Sequence, residues 1–380
     1  MKKIFISFLL VVFIVAMGFL GVGCKDTETV ATAETAAAVT TAAETAVQST
    51  TETVAETAEG SDFDDYLAAA KEKKEYPGKP GEGLKIGFCN LIKGISFTEL
   101  VEKGIIENAK LAGFADSDVF IADNQFDPAI SVKNADIMLS KEVDVFIEFQ
   151  LDAKVNAIIG KKFLDAGIPI LGIDIPVPGG IFTGVDNWGT SYDNGKFIAK
   201  AIVEKYGSID NVDLIISASQ PVCGEVVMLR TMGAEQALAE EFGEDIIKEK
   251  LIVIDAGASA EEAEAGLLPI LADHPNAKNI VIHTVDGMQG VGIRSALDTY
   301  NITPETTFIM SNGLDETDQE YLRKGYINAC RAYFPENYGN IIVPAAVAAA
   351  NKLYVPPEVY VETIIVTLDT LYDYYPNSGK

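Results

Sequence analysis

Histidine and cysteine are scarce in this sequence of 380 residues. Only His274 and His283 occur, and the four cysteines form no Cys-x-x-Cys pair. Metal clusters need such ligands at close spacing, so we expect no zinc site and no other metal site. Neither a Gly-x-Ser-x-Gly turn nor a Walker phosphate loop is present. Because both are signatures of common enzyme classes, we predict no catalytic residues and no cofactor.

Basic residues are also few, because 29 lysines and arginines stand against 56 aspartates and glutamates. The net charge of −27 argues against nucleic acid and anionic lipid surfaces as partners. Apolar residues make up 48% of the chain, so a sizeable core can form. The length suffices for two domains of ordinary size.

The first 24 residues have the pattern of an export signal. Met1–Lys3 is basic, an apolar run extends over Ile4–Leu20, and small residues lead to Cys24. This end is similar to the lipobox of bacterial lipoproteins, in which the cysteine is lipidated, although Gly21 stands where leucine is usual. A plain transmembrane anchor is the alternative. We predict a signal peptide over residues 1–24 and a lipid on Cys24, because the apolar run is short and ends in small residues.

Residues 25–80 are predicted to form a tether between the lipid and the folded part. Residues 25–60 are mostly threonine, alanine and glutamate, with almost no aromatic side chain. Such a segment cannot bury enough apolar surface to offset its ordering entropy, so we expect disorder there. Within the second half of the tether, residues 62–75 have the pattern of a short amphipathic helix. Prolines and glycines over residues 77–83 then precede the main fold.

Three cysteines remain beyond the signal peptide. Cys89 and Cys330 lie in apolar runs typical of strands, and an odd number leaves one cysteine unpaired. An exported protein can form disulfides. We nevertheless expect Cys89 and Cys330 to be buried free thiols, and the state of Cys223 stays open.

Apolar runs alternate with segments of helical period from residue 84 onward. The predicted strands are residues 84–89, 119–122, 143–149, 168–174, 212–217, 251–255, 280–283, 307–311, 327–332 and 359–366. The predicted helices are residues 98–112, 128–140, 152–166, 192–206, 225–242, 261–272, 288–300, 317–324 and 338–353. This alternation predicts an α/β fold with parallel strands and helices on both faces. So many strands call for two sheets rather than one.

The stretch between the two βα series carries the clearest functional signal. Its first apolar run ends at Asp174, a carboxylate placed where a strand stops. Prolines and glycines over residues 176–180 break regular structure, and a second short apolar run leads to Asp186. The next helix is predicted to begin near Tyr192. Since ligands of open α/β sheets bind beyond the carboxyl ends of strands, we interpret this stretch as a crossing between two lobes beside a ligand cleft.

Eight pieces of the chain occur in a recognisable order. They are Lys85–Cys89, Phe97 before a helix with Gly104, Ala166–Asp174, Asp186–Asn187 before a helix with Gly195, Arg230–Gly233, His274–Asn276, Asp286–Gly290 and Ser311–Gly313. In this order and spacing they resemble type I periplasmic binding proteins of the ribose and galactose class. These are the substrate-binding components of ABC transporters. The resemblance covers residues 84–367, nearly all of the folded part.

The resemblance implies two Rossmann-like lobes that close over a small ligand. Three crossings join them, near residues 185–186, near residues 333–335 and near Glu362. The N-terminal lobe would comprise residues 82–185 and 334–361, and the C-terminal lobe residues 186–333 and 362–380. The implied partners are a small molecule, most simply a carbohydrate, and an ABC transporter permease. We expect a monomer that meets the membrane through its lipid only.

The resemblance also implies ligand contacts. Asp174 stands where sugar-binding relatives keep a carboxylate, Arg230 aligns with an arginine that reaches the ligand, and Phe97 aligns with a ring that stacks on the sugar. Their structural alternatives are a turn cap, a solvated helix arginine and a core ring. Further candidates lie in loops or at strand ends: Asn312, Asp286, Asn90, Gln150 and Tyr333, with Asp186 and Trp188 beside them. Asp286 and Asn312 could equally serve a helix cap and a turn.

Five positions depart from the pattern of ribose binders. These are Ile95, Thr98, Ile175, Val285 and Tyr333, where those relatives carry asparagine, an aromatic ring, arginine, asparagine and glutamine. The cleft is therefore expected to be less polar than a ribose site. This leaves room for a deoxy or modified sugar, or for a small molecule that is not a sugar.

The predicted function is that of an exported, lipid-anchored solute-binding component of an ABC importer, held at the outer face of the cell membrane. A chemosensory or signalling receptor with the same fold is the alternative. A transcription regulator of this fold is disfavoured, because the export signal is present and no DNA-binding headpiece precedes residue 84. Paired carboxylates of a glycoside hydrolase stay compatible with the sequence, although nothing in it points to them.

Overall fold

A computed structural model describes residues 62–379, and these form alternating strands and helices. The strands are β1 (Ile86–Asn90), β2 (Val119–Asp123), β3 (Val145–Glu148), β4 (Ile170–Ile173), β5 (Ile181–Gly184), β6 (Leu214–Ser219), β7 (Leu251–Asp255), β8 (Ile280–Thr284), β9 (Thr307–Gly313), β10 (Ala329–Ala332), β11 (Glu358–Tyr360) and β12 (Ile364–Thr367). The helices are α1 (Asp62–Lys71), α2 (Ser96–Ala112), α3 (Pro128–Ser140), α4 (Ala153–Asp165), α5 (Asn187–Tyr206), α6 (Glu225–Phe242), α7 (Glu244–Lys250), α8 (Ala260–Asp273), α9 (Gly287–Thr299), α10 (Glu316–Lys324), α11 (Gly339–Ala350) and α12 (Leu368–Tyr374). None of these helices is long and apolar enough to cross a membrane.

The strands form two sheets of six, each at the centre of one lobe. The first lobe holds the sheet of order β11-β5-β4-β3-β1-β2, in which all strands are parallel. The second lobe holds the sheet of order β12-β10-β9-β8-β6-β7, in which only β12 runs antiparallel to its neighbour. Every residue of β1, β3, β4, β6, β8, β9 and β10 is buried. Strands covered on both faces read as continuous apolar runs, which is why the sequence revealed them.

Three crossings connect the lobes. The chain passes from β5 to α5 at residues 185–186, from β10 to α11 at residues 333–338, and from β11 to β12 at residues 361–363. The predicted fold class, two Rossmann-like lobes joined by three crossings, is confirmed. The proposed residue numbers of the lobe boundaries stay a prediction.

Two predicted elements were wrong in detail. Residues 359–366 were expected to form one strand, but they form β11 and β12 in different sheets, because the third crossing lies within this run. The helix expected near Tyr192 begins at Asn187, because the Asp186 carboxylate accepts a hydrogen bond from the Gly189 amide at 2.9 Å and caps it early. Helices α7 and α12 were not predicted.

The folded part begins earlier than the predicted tether allows. Helix α1 buries Phe63, Tyr66 and Ala70 in the core of the first lobe. Tyr76 is also buried, stacks on Tyr66 at 5.8 Å between ring centroids, and donates a hydrogen bond to the Asn108 side chain at 2.8 Å. Residues 62–80 therefore belong to the fold, and the amphipathic helix predicted for residues 62–75 is confirmed over its first ten residues. The signal peptide, Cys24 and the tether up to residue 61 lie outside the described residues.

The remaining cysteines, Cys89, Cys223 and Cys330, are all buried and free. The prediction for Cys89 and Cys330 is confirmed, and Cys223 joins them. Burial raises the pKa of the Cys89 thiol well above its usual range. Buried thiols of raised pKa are poor nucleophiles, so these side chains behave as small apolar residues.

Candidate ligand site between the two lobes

A cavity of about 120 Å³ lies where the carboxyl ends of the two sheets face each other. For scale, an apolar cavity of about 150 Å³ accepts benzene. The first lobe contributes mainly apolar residues to its wall: Leu91, Ile95, Phe97, Phe126, Phe149 and Leu151. The second lobe contributes mainly polar ones: Gln220, Arg230, Asp286, Asn312, Asp315 and Asp318. Asp174 and Tyr333 complete the set of residues used below.

Asp174 follows β4 at the carboxyl end of the strands of the first sheet and is 5% exposed. The Tyr338 hydroxyl donates to both of its carboxylate oxygens, at 3.0 and 3.2 Å. Burial raises the pKa of Asp174, while the charge of Arg230 and the hydrogen bond from Tyr338 oppose that rise. A carboxylate held this way can still accept hydrogen bonds from a ligand, since each oxygen accepts two.

Arg230 reaches the cavity from α6 of the second lobe. Its Nε donates to the Asn187 side-chain oxygen at 2.6 Å, which fixes the plane of the guanidinium. Its Nη2 lies 3.6 Å from Asp174 Oδ1, close enough for an ion pair but too far for a good hydrogen bond. The guanidinium carbon also lies 5.5 Å from the centre of the Tyr333 ring. The charges of the two lobes therefore meet across the cleft.

Two buried polar atoms beside the cavity form no hydrogen bond. Seven buried side-chain nitrogen or oxygen atoms lack a hydrogen bond among the described residues, and two of these are Arg230 Nη2 and Tyr333 Oη. Burial raises the pKa of Tyr333, so its hydroxyl stays protonated and can donate. An unsatisfied buried polar group calls for an explanation, and a ligand that pairs with these atoms provides one.

Asp286 both caps a helix and lines the cavity. Its Oδ1 accepts from the Gln289 amide at 2.9 Å, while its Oδ2 accepts a long bond of 3.4 Å from Gln220. Asp315 caps α10 in the same way. The helix cap expected of Asp286 is thus present, and its contact with a ligand stays a prediction for which one of its oxygens keeps capacity.

Asn312 borders the cavity, but its amide is engaged inside the second lobe. The nitrogen donates to the Thr284 carbonyl oxygen at 2.6 Å, and the oxygen accepts from Asn194 at 3.1 Å. Asp318 lies nearby and accepts from the Leu314 amide at 2.9 Å. Burial and the charge of Asp315 raise the pKa of Asp318 to about 8.

Two candidates, Asn90 and Gln150, do not line the cavity. Asn90 is fully buried and donates to the Thr98 carbonyl oxygen and to the Glu102 carboxylate, at 3.1 and 2.9 Å. Gln150 donates to the Ser131 hydroxyl. The weaker candidates Asp186 and Trp188 are also elsewhere, at the start of α5. None of these four side chains lines the cavity.

Phe97, which the sequence predicted as a ligand contact, lies in the apolar wall of the cavity. Its ring meets Tyr338 edge-on at 5.5 Å and Phe149 at 6.5 Å between centroids. Sequence reasoning missed the neighbouring wall residues: Leu91, Phe126, Phe149 and Leu151, and on the other side Gln220, Asp315 and Asp318. Most of them come within a few residues after a strand of the two sheets, and that position was the available signal.

Backbone conformations that side chains rarely adopt surround the cavity. Phe126, Asp174, Leu314 and Phe334 have φ values of 58°, 59°, 61° and 52°. Each lines the cavity or adjoins a lining residue. A left-handed conformation of a bulky residue costs about 1–3 kcal/mol, and such strain clusters at functional sites. The observation supports a functional role for this cavity.

Apolar residues from both lobes close the cleft beside the cavity. Ile175 of the first lobe is buried together with Cys223, Val227 and Val285 of the second. A Cβ placed on Gly224 would lie 2.9 Å from the Cβ of Ala153, so the lobes touch here at close range. The structure therefore has the two lobes closed upon each other.

Residues 86–353 match the sequence family described as the periplasmic binding protein domain. No curated protein sequence matches the chain significantly. An ABC transporter periplasmic solute-binding protein from Actinobacillus succinogenes with bound D-allose is similar, at 20% identity and a TM-score of 0.63, over 77% of this chain and 100% of that one. A solute-binding protein from Bacillus halodurans with bound myo-inositol shows 19% identity and a TM-score of 0.62, over 78% and 98%. One from Burkholderia graminis in complex with D-arabinose shows 17% identity and a TM-score of 0.63, over 77% and 98%.

Two α/β lobes closed over a cavity at their strand ends define a bilobed solute-binding protein. Within that class, the chain belongs to the periplasmic binding protein domain family. The resemblance stated from the sequence is confirmed, and so is the prediction that the chain belongs to a family of binding proteins rather than enzymes. The fold is that of sugar-binding proteins of ABC transporters.

Proposed function

We propose that the protein is the lipid-anchored solute-binding component of an ABC importer and that it captures a small sugar between its lobes. One observation carries this proposal: Asp174 of one lobe and Arg230 of the other lie 3.6 Å apart beside the cavity between the lobes. A ligand that bonds to both favours the closed state by its differential affinity for it. Closure excludes water and strengthens each polar contact.

The ligand class is supported by the residues and by the similar structures. Carboxylate and guanidinium groups suit pairs of hydroxyls, and Phe97 offers a flat face for the C–H edges of a sugar. D-Allose, myo-inositol and D-arabinose are the ligands of the similar structures named above. All three are neutral compounds with many hydroxyls.

The ligand proposal is tested by calorimetric titration of the full mature chain with pentoses, hexoses and cyclitols. We expect one group of sugars to bind and Arg230→Lys to weaken that binding at least tenfold, because the planar fork and its bond to Asn187 are lost. The exposed pair of Lys161 and Asp165 offers a control, and Asp165→Asn should leave affinity unchanged. Absence of binding to every sugar would overturn the ligand class.

Anchoring and partnership need separate experiments. Lipid on Cys24 predicts that the protein fractionates with membranes and that Cys24→Ser releases it. A monomer that delivers its ligand to a permease predicts that ligand-loaded protein stimulates ATP hydrolysis by the reconstituted transporter. The lipid anchor would be contradicted if Cys24→Ser left membrane fractionation unchanged. The importer role would be contradicted if ligand-loaded protein did not stimulate ATP hydrolysis.

A further inference from the structure

The two walls of the cavity differ in polarity. Among the lining residues of the first lobe, the leucines, isoleucines and phenylalanines before Asp174 are Leu91, Ile95, Phe97, Phe126, Phe149 and Leu151. Ile175, at the end of the same wall, is apolar as well. Apart from Thr98, Asp174 is the one lining residue of this lobe with a polar side chain.

Polar groups near the apolar wall are already used. The Thr98 hydroxyl bonds to the carbonyl oxygens of Ile92 and Ile95, at 2.6 and 3.0 Å. Asn90, the last residue of β1, and Gln150, shortly after β3, bond within the lobe and do not line the cavity. A ligand hydroxyl directed at this wall away from Asp174 and Thr98 would therefore meet only apolar side chains.

The opposite wall is rich in acceptors. On the wall of the second lobe Asp286 and Asp315 carry carboxylates, and Asp174 faces them from the first lobe, against a single cationic lining residue, Arg230. Burial and the charge of Asp315 raise the pKa of Asp318 to about 8, so this lining residue is protonated near neutral pH. Carboxylates accept hydrogen bonds and repel other carboxylates, so the matching edge of the ligand should carry donors and no negative charge. Hydroxyl groups meet this requirement, whereas a uronic acid or a sugar phosphate does not.

We propose that the ligand is a neutral deoxy sugar, whose hydroxyls face the second lobe and whose methyl or methylene edge lies on the apolar wall of the first. This inference rests on the proposed function, because it specifies which sugars the same cavity takes. A fully hydroxylated sugar avoids this wall only with its C–H face on Phe97, and any hydroxyl that it directs at the leucine, isoleucine and phenylalanine side chains beside Phe97 is buried against apolar atoms. An unpaired buried hydroxyl weakens binding about tenfold or more, and a methyl group there gains apolar contact instead.

Matched sugar pairs test the inference on the full mature chain. Calorimetric titration would compare L-rhamnose with L-mannose, L-fucose with L-galactose, D-fucose with D-galactose, and 2-deoxy-D-ribose with D-ribose. We expect the deoxy member of the pair that binds most tightly to bind at least tenfold more tightly than its parent, and we expect no binding of D-glucuronate. A parent sugar that binds as tightly as its deoxy partner overturns this inference but leaves the proposed function intact. Failure of every sugar to bind overturns both.

A substitution in the apolar wall gives a second test. Ile95 lines the cavity at the N-cap position of α2, where no side chain caps the helix. Asparagine is favoured at such a position, so Ile95→Asn should fold while adding an amide to the wall. We expect Ile95→Asn to lower the preference for the deoxy sugar about tenfold and Ile95→Val to retain it. An unchanged preference in Ile95→Asn would count against the apolar wall as the source of selectivity.

Discussion

Replacing Asp174 with asparagine should open the protein rather than unfold it. The Asp174 and Arg230 side chains are each 7% exposed and come from different lobes. Asp174→Asn keeps the shape of the side chain but leaves the guanidinium buried without its carboxylate neighbour. Removing one partner of a buried pair costs about 3–5 kcal/mol. Asp286 also lies within electrostatic range of Arg230, so we expect the lower end of this range.

Because the lobes can open at the hinge, the free-energy cost of Asp174→Asn favours the open state rather than the unfolded state. Open and closed states of such proteins differ by only a few kcal/mol, so a penalty of about 3 kcal/mol is enough to reverse their populations. Once the lobes part, Arg230 regains water and the penalty disappears. Asp174→Asn should therefore increase the radius of gyration of the ligand-free protein, while its Tm changes by only about 2 °C.

Small-angle X-ray scattering and thermal unfolding together check this reasoning. A double variant, Asp174→Asn with Arg230→Met, should be more compact than Asp174→Asn alone, because the buried guanidinium that lost its carboxylate neighbour is removed. Asp165→Asn, a change of the same chemistry at an exposed site, should alter neither measurement. A large fall in Tm at constant radius of gyration would refute the argument, since it would place the cost in unfolding rather than in opening.

Three further predictions concern the same cavity. Burial and the charge of Asp315 raise the pKa of Asp318 to about 8. The folded state therefore binds this proton more tightly than the unfolded state. We expect the free energy of unfolding to fall as pH rises from about 4 to about 8. Urea unfolding at several pH values should show a flatter dependence in Asp318→Asn, and an unchanged slope would contradict this. Tyr338→Phe removes the donor that holds Asp174 and should weaken sugar binding about tenfold by calorimetry, whereas full affinity would exclude that role. Phe97→Ala should lower affinity at least tenfold, whereas Ile106→Ala, at an exposed position of the same helix, should not, and equal effects would point to a general loss of folding.

Many helix and strand bounds could be predicted from the sequence because the residues that start and stop them are adjacent in the chain. The observed bounds of α3 match the prediction, since Pro128 occupies the first turn and Asp127 accepts hydrogen bonds from the amides of Ala129 and Ile130. The third crossing was not readable, because residues 359–366 form one apolar run and only long-range pairing assigns β11 and β12 to different sheets. Helix α12 was missed because residues 368–374 are tyrosine- and aspartate-rich and lack a clear apolar period.

Of the site residues predicted from the sequence, some line the cavity and others do not. The family resemblance pointed to Asp174 and Arg230, and the structure brings both to one cavity. Asn90 and Gln150 were candidates from their loop position alone, and a polar side chain near a strand end bonds within its own lobe as readily as it meets a ligand. Which of the two occurs depends on the neighbours it finds in three dimensions.

Apolar residues of the site pose the harder problem. Phe126 and Phe149 follow strands and read as ordinary core, and Phe149 is indeed 3% exposed while still lining the cavity. No residue type distinguishes a wall that packs against protein from one that packs against a ligand, since both exclude water by the same effect. The backbone differs, however, because Phe126 has a φ of 58° that core packing alone does not require. Phe126 is the only apolar residue of the first-lobe wall with such a backbone, so Leu91, Phe149 and Leu151 of that wall are identified only by their place in the folded structure.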